Sequence, residues 1–126
     1  MNIDQFKDKK VLYVEDDLSI MGSFTKILKK VFGEVITAHN GEEGLEAFKQ
    51  NQDVAFIISD IKMPKMDGLD MLDEIKKIKP EIPSILTTAH GEYDYFLRAE
   101  DVGVYRYIQK PININELIEA LIAYKS

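Results

Sequence analysis

Apolar residues in this chain follow two rhythms, short unbroken runs and longer stretches with apolar positions three and four apart. Four runs each end on a reactive polar residue. Val11-Leu12-Tyr13-Val14 stops at Glu15-Asp16, Val54 to Ser59 at Asp60, Ser84 to Thr87 at Thr88, and Tyr107-Ile108-Gln109 at Lys110-Pro111. Runs this short, bounded by polar residues, predict strands buried on both faces, as in parallel sheets. Val35 to Ala38 predicts one further strand, and the last strand begins around Tyr105.

Between the runs the period changes. Ile20, Met21, Phe24, Ile27, Leu28 and Val31 mark a first helix, with Asp17 or Ser19 as its cap. Asn40-Gly41 turns the chain into a short helix that carries Leu45 and Phe48 inward. Gly68 opens a third, with Leu69, Leu72, Ile75 and Ile78 on one face and a stop at Lys79-Pro80. A fourth carries Phe96, Leu97 and Val102 as far as Gly103. The last starts at Asn113, with Glu116 placed as in a capping box, and turns Ile114, Leu117, Ile118, Leu121 and Ile122 inward.

Five β-α units in alternation predict an α/β fold, a doubly wound five-stranded parallel sheet with helices on both faces, since each crossover is right-handed. The carboxyl ends of its strands share one edge, where open parallel sheets bind ligands. Glu15, Asp16, Asp60, Thr88 and Lys110 are therefore expected to converge.

A chain of 126 residues fits one domain, and folding at this size buries roughly two-thirds of the extended-chain surface. We expect a core over residues 10–123 behind a lead-in at 1–9, with no linker or repeat. Without cysteines, a disulfide framework and a thiol-based site are both excluded, and a reducing compartment is expected. The first ten residues hold acids and no apolar stretch, and no run reaches membrane-spanning length, so a cytoplasmic protein without a membrane contact is expected. The net charge of -6, from 22 acidic against 16 basic residues, argues against direct binding of nucleic acid.

Gathering Glu15, Asp16 and Asp60 is unfavourable without a cation, because two unit charges about 4 Å apart repel by roughly 4 kcal/mol at the dielectric of a protein surface. A few carboxylates with no His or Cys suit a hard ion that keeps its waters: Mg²⁺, with Mn²⁺ as a substitute. Lys110 adds an ammonium for a phosphate oxygen, and Thr88 a hydroxyl donor. These are the parts of phosphoryl transfer, with Asp60, at the end of the central strand, as the carboxylate nucleophile. Singly each has a plainer reading: Asp60 as a helix cap, Lys110 as a surface charge, Tyr107 as core packing, His39 and His90 as exposed histidines.

Val14-Glu15-Asp16, the segment from Asp60 through Met63-Pro64 to Met66-Asp67-Gly68, Thr88-Ala89 and Lys110-Pro111 together resemble the signature of receiver domains of two-component response regulators, over essentially the whole chain. Single-domain chemotaxis-type regulators are similar. The resemblance implies a flavodoxin-like (βα)5 sheet of order 2-1-3-4-5, and Asp60 as acceptor from a sensor histidine kinase or phosphotransfer protein. It implies that Glu15, Asp16, Asp60 and the Lys62 backbone carbonyl hold Mg²⁺, that Thr88 and Lys110 coordinate the phosphoryl group, and that Tyr107 is an aromatic switch. His90 and Pro111 border the site. The fourth helix, fifth strand and fifth helix would form the partner surface, toward a downstream effector, an output domain or a second phosphorylated copy in a homodimer. Such a domain is not an enzyme beyond promoting its own phosphorylation and dephosphorylation.

Two other classes compete. A scaffold of the same fold that is never phosphorylated usually lacks the acceptor, the metal acids or the lysine, and all are present here. A Mg-dependent aspartyl phosphohydrolase wants a second Asp two residues after the nucleophile, where this chain has Lys62.

Overall fold

The computed structural model describes residues 3–89 and 95–124, with Phe96 described by its backbone alone. After a 3-10 turn at Asp4–Phe6 the order is β1 Lys10–Val14, α1 Leu18–Leu28, β2 Glu34–Ala38, α2 Gly41–Gln50, β3 Phe56–Asp60, α3 Gly68–Ile78, β4 Ser84–Thr88, α4 Phe96–Val102, β5 Arg106–Gln109 and α5 Ile114–Ala123. All strand pairs are parallel and the sheet order is β2-β1-β3-β4-β5, the expected doubly wound arrangement.

Each helix start has its cause in the sequence. Asp17 caps α1 by accepting from the Ser19 and Ile20 N–H groups at 2.9 and 3.0 Å. Asn40, Asp67 and Asn113 cap α2, α3 and α5 in the same way. Gly103, at φ 86°, ends α4 in the left-handed conformation that glycine adopts without strain.

Alternation along the strands divides the core into two layers. One packs Val11, Tyr13, Phe56, Ile58, Ile85 and Ile108 against α1 and α5. The other packs Leu12, Val14, Ile57 and Leu86 against α2, α3 and α4.

Burial differs from expectation at several positions. Tyr107 to Gln109 was expected to be buried on both faces, but β5 is an edge strand and only Ile108 in it is buried. Ile27, Ile78 and Leu97, expected to face inward, are exposed, Leu97 at 78%. They lie beyond the arc of each helix that the sheet covers. Val54, expected as the start of β3, is buried but precedes the strand. Phe6, in the lead-in, belongs to the core, its ring against those of Phe32 and Phe56.

Candidate functional site

Register fixes which residues meet. Val14 lies opposite Ser59 and Asp60 opposite Thr87, while Thr88 lies opposite Gln109, so the residues following β1 and β5 and those ending β3 and β4 face one edge. Glu15 extends β1 by one rung, its N–H donating to the Ala38 carbonyl at 3.0 Å. The Lys110 N–H donates to the Thr88 carbonyl at 2.7 Å, tying the lysine to the end of β4. The Lys110-Pro111 peptide is cis, and Pro111 is exposed.

Three carboxylates meet: one oxygen each from Glu15, Asp16 and Asp60 lies within 4.8 Å of the others. Lys110 joins them, with Nζ 3.2 Å from Glu15 Oε1 and 3.0 Å from Asp60 Oδ2. Asp60 Oδ1 accepts from the Ile61 N–H at 2.8 Å, which leaves Oδ2 as the oxygen toward the lysine. Glu15 Oε2 accepts from the Asp17 N–H at 3.2 Å, so Asp17 braces the site by its backbone and caps α1 by its side chain.

Burial makes these contacts strong and unequal. Glu15 is fully sealed from solvent while its neighbour Asp16 is exposed, because successive side chains leave opposite sides of the strand end. Burial raises the Glu15 carboxyl from 4.5 to about 7; the Asp17 N–H pulls it down, Asp60 adds to the rise and Lys110 opposes it. For Lys110, burial pulls the pKa down, but the hydrogen bond and charge of Asp60, followed by Glu15, carry it above the ordinary value.

The donor set is all oxygen, and among the described residues Glu15 Oε1, a buried carboxylate atom, accepts no aligned hydrogen bond. Such a set fits a hard divalent cation.

Lys62 lies in the exposed turn after Asp60, its Nζ 5.9 Å from the centre of the Tyr95 ring. Thr88 is half-buried at the end of β4 and shares its pleat parity with Leu86, on the α4 side. Tyr107 is half-buried against the same layer; burial and then Glu100 push its hydroxyl pKa up. His90 lies outside the described residues.

Of two further supports, the turn at Gly68 was legible in the sequence and the pairing of Arg98 was not. The Gly68 N–H donates to the Ile61 carbonyl at 2.7 Å, and a Cβ at Gly68 would sit 2.2 Å from the Asp60 carbonyl oxygen. Only glycine lets the turn fold this tightly beneath Asp60; the Met66-Asp67-Gly68 sequence carried that signal. Arg98 of α4 pairs with Asp67 at 3.2 Å and with Asp70, holding α4 against the start of α3. A lone arginine gives no such hint.

Comparison with known proteins places this geometry. The sequence model of the response regulator receiver domain family matches residues 11–122. Transcriptional regulatory protein GlrR of Escherichia coli is 33% identical over 115 residues, covering 91% of this chain but 26% of that protein, so the chain spans about a quarter of this relative. A response regulator receiver domain protein from Clostridium thermocellum is similar in structure, with a TM-score of 0.82 and 36% identity over 90% of this chain and 91% of that one. A chain of the CheX-CheY-BeF3-Mg complex from Borrelia burgdorferi superposes with a TM-score of 0.84 and 26% identity, covering 98% of this chain and 93% of that one.

Proposed function

Because the chain belongs to the family of response regulator receiver domains, we propose that Asp60 accepts a phosphoryl group from a sensor histidine kinase or phosphotransfer protein and that the added charge switches the surface of α4, β5 and α5. The observation that carries this reading is the Lys110 ammonium bridging Glu15 and Asp60, 3.0 Å from the carboxylate oxygen that would attack.

Asp60 Oδ2 attacks the phosphorus of a phosphohistidine. The O–P bond forms, the N–P bond breaks, and the electron pair returns to the imidazole nitrogen, which takes up a proton. Glu15, Asp16, Asp60 and the Lys62 backbone carbonyl would hold Mg²⁺, or Mn²⁺, which when bound supplies neutralising charge to the phosphoryl oxygens. The Ile61 N–H keeps Oδ1 fixed and so aims Oδ2. Lys110 and the Thr88 hydroxyl serve the phosphoryl oxygens, and Pro111 borders them.

The product carries about −1.5 to −2 charges where the free carboxylate carried one. Lys110 moves from Glu15 toward the new oxygens and Thr88 follows. Tyr107, on the same side of the sheet as Thr88, turns into the space this leaves. Driving a switch from about 1% to 99% takes roughly 5.5 kcal/mol, within reach of several charge-assisted hydrogen bonds. The output passes to an effector protein or domain; the related GlrR is a transcriptional regulatory protein, and this chain covers 26% of it. The domain turns over no substrate other than its own acyl phosphate.

Intact mass after incubation with acetyl phosphate and Mg²⁺ tests the reading. The wild type gains one phosphoryl group and Asp60→Asn gains none; equal labelling of both removes Asp60 from this role.

A further inference from the structure

Tyr13 takes no part in the chemistry above, yet its side chain is fully buried. Its ring stands edge-on to Phe24, centroids 5.3 Å apart. Among the described residues, nothing hydrogen-bonds its hydroxyl. A buried hydroxyl without a partner is unfavourable, and phenylalanine would fill the same space without that penalty.

The strand pleat offers a role for the hydroxyl. Tyr13 pairs with Thr37 and the Glu15 N–H bonds the Ala38 carbonyl, so the ladder continues through both, and their side chains leave the same face of the sheet. Glu15 is equally sealed, and its Oε1 is held by the Lys110 ammonium, which it shares with Asp60. A donor lacking an acceptor thus shares a sheet face, two residues along the strand, with an acceptor whose counter-charge is shared. Burial first, then Glu15 ahead of Asp60 and Asp17, pushes the Tyr13 hydroxyl pKa up, so among these carboxylates Glu15 acts on it most strongly.

We propose that Tyr13 is a positioning residue for the phosphoryl reaction: when Lys110 leaves Glu15 for the phosphoryl oxygens, the Tyr13 hydroxyl donates to Glu15 and holds that carboxylate in place. The inference rests on Asp60 being the acceptor. Tyr13 acts through Glu15 and touches no reacting atom.

The test compares wild type, Tyr13→Phe and Tyr105→Phe for phosphoryl uptake from acetyl phosphate, for affinity toward beryllium fluoride with Mg²⁺, and for the urea midpoint without ligand. A bond made only in the phosphorylated state leaves unliganded Tyr13→Phe at least as stable as the wild type and lowers its beryllium fluoride affinity by about tenfold to a hundredfold. Tyr105→Phe deletes a hydroxyl already bonded to the Ala120 carbonyl at 2.7 Å, so its urea midpoint without ligand falls, the mark of a bond present before phosphorylation. Wild-type affinity in Tyr13→Phe overturns the proposal, as does a variant that loses stability and affinity in step. A wild type that takes up no phosphoryl group overturns the Asp60 reading and this inference with it, so the two failures are told apart by the wild-type sample alone.

Discussion

Binding of a divalent cation at neutral pH is expected to expel a proton from Glu15. Its carboxyl is sealed from solvent, and burial lifts its pKa from 4.5 to about 7. Such a group carries about 0.9 of a proton at pH 6, about 0.5 at pH 7 and about 0.1 at pH 8. A carboxylate binds metal only when deprotonated, so that fraction must leave as the ion enters. Calorimetric titration with Mg²⁺ in buffers of different ionisation enthalpy reads the fraction directly, as the slope of observed enthalpy against buffer enthalpy. The slope should fall from pH 6 to pH 8 and vanish in Glu15→Gln. Bound Mg²⁺ with a buffer-independent enthalpy at pH 6 and 7 would refute the reasoning.

The same group gives the metal-free protein a pH-dependent stability. A buried acid whose pKa is raised on folding binds more protons folded than unfolded between pH 4.5 and about 7. Its favourable contribution is fully present below pH 4.5 and is lost as pH rises toward 7, by at most about 3 kcal/mol. Urea midpoints with and without Mg²⁺ across this window would show the slope in the metal-free protein and a flatter profile with the ion.

Three further outcomes follow from the same geometry. Gly68→Ala should lose about 1–3 kcal/mol in urea, outweighing the usual entropic gain of about 0.4–1 kcal/mol, because its Cβ would meet the Asp60 carbonyl oxygen at 2.2 Å; slower acetyl phosphate labelling should accompany the loss. Asp17→Ala should cost about 1 kcal/mol through the lost cap of α1 while leaving Mg²⁺ affinity unchanged, and a large drop in affinity would make Asp17 a ligand instead. Arg98→Ala should cost under about 1 kcal/mol, since its pairs with Asp67 and Asp70 are partly exposed, yet speed amide exchange in α4; high salt should mimic it.

The site was legible to the extent that its residues end strands. Four apolar runs closing on Glu15-Asp16, Asp60, Thr88 and Lys110 sufficed to place those residues on one edge, because a parallel sheet brings all carboxyl ends together. What the same pattern could not convey was inequality within the site. Glu15 and Asp16 are adjacent acids, but one is sealed and the other exposed, and the Ile61 and Asp17 N–H groups that brace the carboxylates leave no mark on side-chain identity.

Period and punctuation determined the element types, their order and the caps at Asp17 and Asn113, since these depend on residues within a turn or two of one another. The tertiary structure alone decided which apolar positions are covered: Ile27, Ile78 and Leu97 keep the helical spacing and stay exposed, while Phe6, in a polar stretch, packs into the core. It also decided that burial lifts the Glu15 carboxyl pKa to about 7 and that, among the described residues, the buried Tyr13 hydroxyl has no hydrogen-bond partner. Spacing along a chain specifies a face, but solvent access and the field at an ionisable group depend on whatever other segments pack against that face.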